Sequence, residues 1–254
     1  MRQLMALPDK NMIDFRNKTA VVTGAGSSKG IGYAACVALS GAGARVIALD
    51  VAFDHDCNGV WEQVTCDVTD VDRCVSVFDQ ITKSHRMVNI LVNSAGIVSP
   101  TRIADLTADE FTRMLAINTT GVFNITQAAL GLLKVHGGAI VNVASIAAQR
   151  GGGLLGGSHY AASKGAVVSF TKACAREFGA HGIRANCINP GIIDTGMTEG
   201  KYPPERLDML LPQIPLGRLG LAKEVAGAIA FLASDMASYV TGIELDVNGG
   251  YHIH

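Results

Sequence analysis

The chain has 254 residues, 48% of them hydrophobic and 17% charged, and a formal net charge of −1 at pH 7. That length suits one large α/β domain, and that composition can fill a substantial core. The near-neutral balance offers no basic stripe for nucleic acid. No apolar run reaches the roughly 18 residues that a bilayer span needs, so neither nucleic acid nor membrane is expected as a partner.

Residues 1–17 lack the unbroken apolar stretch of a secretion signal and read as a short arm before a domain over 18–254. A β-branched run predicts a strand over 19–23, and small residues on one face predict a helix over 31–40. Strands follow over 45–49 and 60–66, a helix over 70–84 and a strand over 88–92. One long helical pattern covers about 108–133, with Gly121 inside it. Then come a strand over 139–143, a helix over 160–178, a strand over 184–188, a helix over 222–233 and a strand over 243–247. Seven near-continuous apolar strands separated by helices imply a doubly wound α/β fold, a parallel sheet with helices on both faces.

Two stretches break this rhythm. Residues 151–157 are glycine-rich, and 195–215 hold four of the seven prolines and read as a mobile flap. The six cysteines (36, 57, 66, 74, 174 and 187) show no CxxC spacing and several lie in apolar patterns. Buried free thiols, and with them a reducing, cytoplasmic setting, are the expectation.

Gly24, Gly30 and Gly32 sit at the first strand–helix junction. Glycines there let the backbone approach a pyrophosphate, and the helix N-terminus supplies free N–H groups. Asp50 ends the second strand, 50 − 32 = 18 residues past Gly32. A carboxylate at that place accepts from ribose hydroxyls and repels a 2′-phosphate, which favours NAD over NADP. Lys29, a cation in the glycine loop, is the counter-signal.

Tyr160 and Lys164 fall one turn apart on one helix face. An ammonium beside the phenol lowers its pKa from about 10, which suits a general acid/base. Ser145 ends a buried strand, 160 − 145 = 15 residues before Tyr160, and opens toward the crevice where such sheets bind ligands. Asn118 sits in the long helical pattern, where Asn is a mediocre helix former. It is expected to hold a bent helix or an ordered water near Lys164.

Together these residues resemble the short-chain dehydrogenase/reductase family, from about Lys18 to Tyr251. Gly24, Gly30 and Gly32 match its glycine motif and Asp67-Val68 its adenine-contacting pair. Asn93-Ser94-Ala95-Gly96 matches its Asn-Asn-Ala-Gly segment, with Ser94 in place of the second Asn. Asn118, Ser145, Tyr160 and Lys164 fall on the catalytic tetrad. Pro190-Gly191 matches the segment beside the nicotinamide, with the Ile193 backbone and Thr195 hydroxyl on its carboxamide. The glycine loop and the Ser-to-Tyr interval are each about two residues longer than the family pattern.

The resemblance implies a Rossmann-type fold in a single domain, with NAD as cofactor. The glycine-loop contacts would come from Gly24, Ser28, Lys29, Gly30 and Ile31, with Asp50 on the ribose. Asp67, Val68, Asn93, Ala95 and Gly96 would follow along the dinucleotide. It also implies roles. Tyr160 is the acid/base, and Ser145 positions and polarises the substrate oxygen. Lys164 lowers the Tyr160 pKa and holds ribose hydroxyls, while Asn118 holds a water that relays protons.

Hydride would pass between nicotinamide C4 and a secondary alcohol or ketone, expected to be a polyol, sugar or hydroxy acid. The alternatives are an NADPH-dependent 3-oxoacyl-thioester reductase using Lys201 and Arg206, and an idle dinucleotide sensor. The substrate pocket is expected from Ser145, Ala147, Arg150, the 151–157 loop, His159, Gly191, Ile192 and the flap. Arg150, Lys201 and Arg206 are expected as solvated cations. The tail over 249–254 is expected at a neighbour's pocket, with His252 and His254 as an exposed polar end and no metal. Tetramers in the family form through the helices here predicted over 108–133 and 160–178, so a homotetramer is expected.

Overall fold

The computed structural model describes residues 13–254 other than 86, 154, 202 and 203, so most of the predicted arm lies outside the described residues. The chain runs through Thr19–Thr23 (β1), Ile31–Gly41 (α1), Arg45–Asp50 (β2), Glu62–Thr65 (β3), Val71–His85 (α2) and Ile90–Asn93 (β4). Ala108–Leu115 (α3) and Gly121–Leu133 (α4) follow, joined by a wide turn over Ala116–Thr120. Then come Gly138–Val143 (β5), Ala147–Arg150 (α5), Ser158–Phe178 (α6), Ile183–Pro190 (β6) and Ile193–Asp194 (β7). Pro204–Leu210 (α7), Gly220–Leu221 (β8), Ala222–Ala233 (α8) and Glu244–Val247 (β9) complete it.

Seven strands form one parallel sheet in the order β3-β2-β1-β4-β5-β6-β9. Successive strand side chains point to opposite faces. Ala20 and Val22 join one core with Leu39 of α1 and Ile229 of α8. Val21 joins the other with Phe78 of α2 and Ile125 of α4. Both faces of the sheet's centre are covered, so β1, β2 and β4 read as apolar runs instead of alternating ones. This is the doubly wound, Rossmann-type α/β fold expected from the sequence.

The strand order reverses at β1, which lies between β2 and β4. Thr23 faces Leu49 on one side and Asn93 on the other. The crevice of such a sheet opens beyond the carboxyl ends of these strands, which fixes where the loops after β1, β2 and β4 converge.

Four features depart from the predicted elements. The long helix over 108–133 is broken: Gly121 N–H donates to the Ala116 carbonyl, an i→i−5 bond that widens the turn. A side chain at Gly121 would collide with Val68, so the chain approaches closely here. The short helices α5 and α7 were not predicted. The 195–215 flap is tied at its root, because β7 pairs with β8 through Ile193↔Gly220 and Asp194↔Leu221.

Candidate active site

The glycine loop is shaped by close backbone approach. Gly24 has φ +70°, and a Cβ there would lie 2.5 Å from the Ala95 nitrogen. The Thr23 hydroxyl accepts from the N–H groups of Ser94 (3.1 Å) and Ala95 (3.2 Å), locking the loops after β1 and β4 together. Gly30 begins α1 with no side-chain cap, and no acid occupies the first turn. Those free N–H groups and the helix dipole suit an anion.

The loop between the glycines leans on two carboxylates. Asp50 Oδ2 accepts from Gly26 N–H at 2.7 Å, and Asp54 Oδ1 accepts from Ser28 N–H at 2.8 Å. Asp54 N–H returns a bond to the Gly26 carbonyl (2.9 Å). Lys29 turns away: its Nζ lies 2.6 Å from Glu199 Oε1. Ser28 and Lys29 line a neighbouring groove beside α1 and α8 and not the main crevice.

The main crevice is a cavity of about 540 Å³. Gly24, Gly30, Ile31 and Asp50 line one end, with Asp67 and Val68 beside them. Ala95 and Gly96 lie along its floor. Ser145, Tyr160 and Lys164 line the other end, with Pro190, Gly191, Ile193 and Thr195. Asn93 and Asn118 are not on its surface. Asn93 is buried in the sheet, donating to Thr126 Oγ1 (3.1 Å) and Asn142 Oδ1 (2.9 Å).

Asn118 sits in the wide turn between α3 and α4 and acts as a clamp. Its Oδ1 accepts from Ile97 N–H (2.8 Å) while its Nδ2 donates to the Ile97 carbonyl (2.9 Å) and Ser163 Oγ (3.0 Å). The amide thereby joins the loop after β4 to α6. Gly96 fits between them; a Cβ there would meet Asn118 Oδ1 at 3.2 Å and Lys164 Nζ at 3.5 Å.

Ser145 follows β5, and its Oγ accepts from Ala147 N–H at 3.1 Å. That bond leaves the hydroxyl proton available to a neighbour. Burial pushes the Tyr160 phenol above its ordinary range, opposed by a hydrogen bond with the Ser145 hydroxyl. Lys164 is only 5% exposed, and burial pulls its ammonium down to about 8. Its Nζ donates to the Val143 carbonyl at 2.7 Å. The expected depression of the Tyr160 pKa by Lys164 is therefore not what this geometry gives. Burial dominates both groups, and each resists its charged form.

The outer residues meet the expectations in part. Arg150 is exposed, as expected, yet held in place: Nη1 donates to the Tyr251 carbonyl (2.9 Å), and the guanidinium lies 4.1 Å from the centre of the Tyr251 ring. Tyr251 lines the cavity of its own chain. His159 is fully buried and does not line the cavity. His254 Nδ1 lies 3.4 Å from Asp246 and the ring stacks on His252. Among the described residues no three ligands cluster for a metal, and no helix is long and apolar enough to cross a membrane.

Sequence reasoning missed Asp54 and Glu199, and named Tyr251 only as part of a tail assigned to a neighbour's pocket. Asp54 and Glu199 read as ordinary surface acids, because the partners that give them meaning are 26 and 170 residues away.

Comparison with known proteins agrees with this geometry. The family model described as enoyl-(acyl carrier protein) reductase matches residues 24–252. A short-chain type dehydrogenase/reductase of Sinorhizobium fredii is 41% identical over 250 residues, covering 94% of this chain and 99% of that protein. The (3R)-3-hydroxyacyl-CoA dehydrogenase of Canis lupus familiaris is 37% identical, with 94% and 97% covered. The solved short-chain glucose/ribitol dehydrogenase of Brucella melitensis superposes with a TM-score of 0.87 at 34% identity, over 95% of this chain and 99% of that one. On the strength of a match that runs through nearly its whole length, the chain belongs to the short-chain dehydrogenase/reductase family of NAD(P)(H)-using oxidoreductases.

Proposed function

We propose that this protein transfers hydride between NAD(H) and a secondary alcohol or ketone, with Tyr160 as general acid/base. The observation that carries this reading is the convergence of Ser145, Tyr160 and Lys164 at one end of a cavity whose other end holds an uncapped helix N-terminus and Asp50.

The residues fit a dinucleotide. The N–H groups opening α1 would hold its pyrophosphate, and Asp50 its adenosine ribose, with Asp67 and Val68 toward the adenine. Pro190, Gly191, Ile193 and Thr195 would hold the nicotinamide end. When bound, the nicotinamide supplies or takes the hydride. Tyr160 then gives its proton to the substrate oxygen in reduction, or takes one from the alcohol in oxidation. Ser145, its oxygen fixed by Ala147 N–H, donates to that same oxygen and keeps it in line. Lys164 supplies the positive charge that a forming phenolate needs. Asn118 holds the Ile97 main chain, and through Ser163 the helix that carries both groups.

Preference for NAD is supported by the two carboxylates on the glycine loop. Asp50, on the cavity wall, would face a 2′-phosphate with like charge, and the hydrogen bonds of Asp50 and Asp54 to Gly26 and Ser28 use donors such a phosphate would want. Lys29, the one counter-signal in the loop, is paired with Glu199.

The substrate end favours a refinement within secondary alcohols. Val98, Ala147, Leu155, Ile192, Met197 and Tyr251 line it, and few polar side chains join Ser145 and Tyr160 there. A polyol or sugar would leave many hydroxyls unpaired against such a wall. A hydroxy acid derivative with an apolar arm fits better, which favours an acyl thioester as the second reading of the substrate. Lys201 and Arg206, once considered for the carrier phosphate, do not line the cavity.

The test is absorbance at about 340 nm with polyols, sugars, hydroxy acids and 3-hydroxyacyl or 3-oxoacyl thioesters, each with NAD(H) and NADP(H). Turnover with NAD(H) of an alcohol or thioester is expected. Turnover restricted to NADP(H) would reject the role given to Asp50 and Asp54. In Tyr160→Phe, kcat is expected to fall by about 10²–10⁴-fold with NAD binding retained. Unchanged turnover would remove Tyr160 from the chemistry.

A further inference from the structure

Cys66 and Cys74 meet inside the protein, with their sulfurs 4.0 Å apart. Cys66 follows β3 and Cys74 lies in the first turn of α2. The turn between them carries Asp67 and Val68. Both thiols point at that turn: Cys74 Sγ lies 3.6 Å from the Asp67 carbonyl and 3.8 Å from that of Val68, and Cys66 Sγ lies 3.8 Å from the Asp67 carbonyl. Cys66, Asp67 and Val68 all line the main cavity. Two thiols that play no part in hydride transfer therefore brace the wall at the adenosine end.

We propose that Cys66 and Cys74 form an oxidation site, closed to a disulfide by a peroxide, which weakens cofactor binding at the adenosine end. The inference rests on the reading of Asp67 and Val68 as cofactor contacts. A disulfide needs sulfurs at about 2.05 Å, so closure draws the two Cys side chains some 2 Å nearer across the turn. The sulfurs also lose the protons they aim at the Asp67 and Val68 carbonyls. The turn must adjust, and the cavity wall adjusts with it.

The chemistry balances without any group from the protein beyond the two thiols. The Cys66 thiolate attacks one peroxide oxygen, the O–O bond breaks, and water leaves after protonation, giving a sulfenic acid. The Cys74 sulfur then attacks the Cys66 sulfur, the S–O bond breaks, and a second water leaves. Two thiols lose two electrons and two protons, and one peroxide becomes two waters. Cys66 is the better attacker. Once Cys66 ionises, the Cys74 S–H can turn from the carbonyls and donate to it, which holds the Cys66 pKa below the ordinary thiol value while Cys74 is raised. Cys66 is also the one that reaches the cavity, so a bound cofactor should shield it. Burial pushes Cys36, Cys174 and Cys187 up to about 12, which makes them internal controls.

The experiment treats the whole protein with hydrogen peroxide, with and without saturating NAD, and maps the products by tryptic digestion and tandem mass spectrometry. Cleavage after Arg73 puts Cys66 and Cys74 on separate peptides, so the bond appears as a joined pair. Cys57 shares the Cys66 peptide, and fragment sequencing or a Cys57→Ser background tells them apart. The expected result is a Cys66–Cys74 link that forms faster without NAD. The NAD dissociation constant should rise about five- to tenfold, the worth of one good hydrogen bond, and recover on reduction. Cys74→Ser, which keeps a donor toward the Asp67 and Val68 carbonyls, is expected to bind NAD normally and to form no link. Failure of the link to form, or a link that leaves NAD affinity unchanged, overturns the inference. Untreated protein that does not bind NAD would overturn the function proposed above, and the coupling with it, while peptide mapping still decides whether the oxidation site exists.

Discussion

Burial acts on Tyr160 and Lys164 in opposite senses. Burial raises the phenol and lowers the ammonium to about 8, so neither ionises readily by itself. A phenolate formed beside a protonated Lys164 is compensated; one formed beside a neutral Lys164 is not. Lys164 also makes a stability statement. Its folded pKa lies below the ordinary value of 10.5, so between pH 8 and 10.5 the unfolded chain holds a proton that the folded chain has released. Stability from this group rises with pH across that window, and below it the buried charge carries its full cost. Lys164→Met should therefore abolish turnover yet raise stability at pH 7 by about 1–3 kcal/mol, the lost bond to Val143 offsetting part of the gain. The gain should shrink as pH rises toward 10. Thermal melting of both proteins at pH 7 and pH 10 checks the sign. A variant that melts lower than the parent at pH 7 would reject burial as the dominant influence on Lys164.

Elements show where the sequence is legible. The central strands β1, β2 and β4 read clearly because both faces of each are covered, leaving buried apolar runs, whereas the edge strands β3 and β9 are half-exposed and carry Glu62, Gln63, Glu244 and Asp246. Their ends moved by a residue or two: the run over 60–66 pairs only over Glu62–Thr65, because the register with Ile47–Asp50 sets its length. The break at Ala116–Thr120 was not legible as a wide turn. Asn118 was singled out, but the turn depends on Ile97 and Ser163, and no local period encodes partners 21 and 45 residues away. The pairing of β7 with β8 was hidden for the same reason, being two residues long on each side. In the site, Ser145, Tyr160 and Lys164 were legible because helix spacing and strand ends fix them locally. Asp54 and Tyr251 were not, because loops bring them in.

Arg184 belongs to this scale as well. It projects from β6 and caps the carboxyl end of α8, donating to the carbonyls of Leu232 (2.6 Å), Ala233 (3.3 Å) and Ser234 (3.0 Å). Those are the acceptors a helix end leaves without partners, and a cation there also complements the dipole. Arg184→Met keeps the stem and removes the donors. It should cost about 2–4 kcal/mol, seen as a lower urea midpoint with an unchanged slope. A loss under 0.5 kcal/mol, roughly the scale of an ordinary surface change, would mean that water satisfies the helix end equally well.

At the scale of the whole molecule, the surfaces that remain bare are informative. Phe123 of α4 is 42% exposed and meets Phe170 of α6 edge-on, ring centres 6.3 Å apart. This pair lies on the outer side of the helices that carry Asn118's turn and Tyr160. At the far edge of the sheet, β9 follows Ile243, which is 38% exposed. An open strand edge and an exposed aromatic ring are both features that folded chains tend to cover. A homotetramer, with one contact through α4 and α6 and another along the β9 edge, would cover both and would brace the helix that holds Tyr160 and Lys164. Light scattering should then give four chains per particle. Phe123→Glu puts a charge in the centre of the first contact, where an unpaired buried charge is costly, and should yield a smaller particle with the same far-UV circular dichroism. Its melting temperature should also fall on dilution, since association adds stability by mass action. A parent protein that runs as one chain at all concentrations would show that these surfaces are left open to water, and α6 would then owe its position to its own sheet alone.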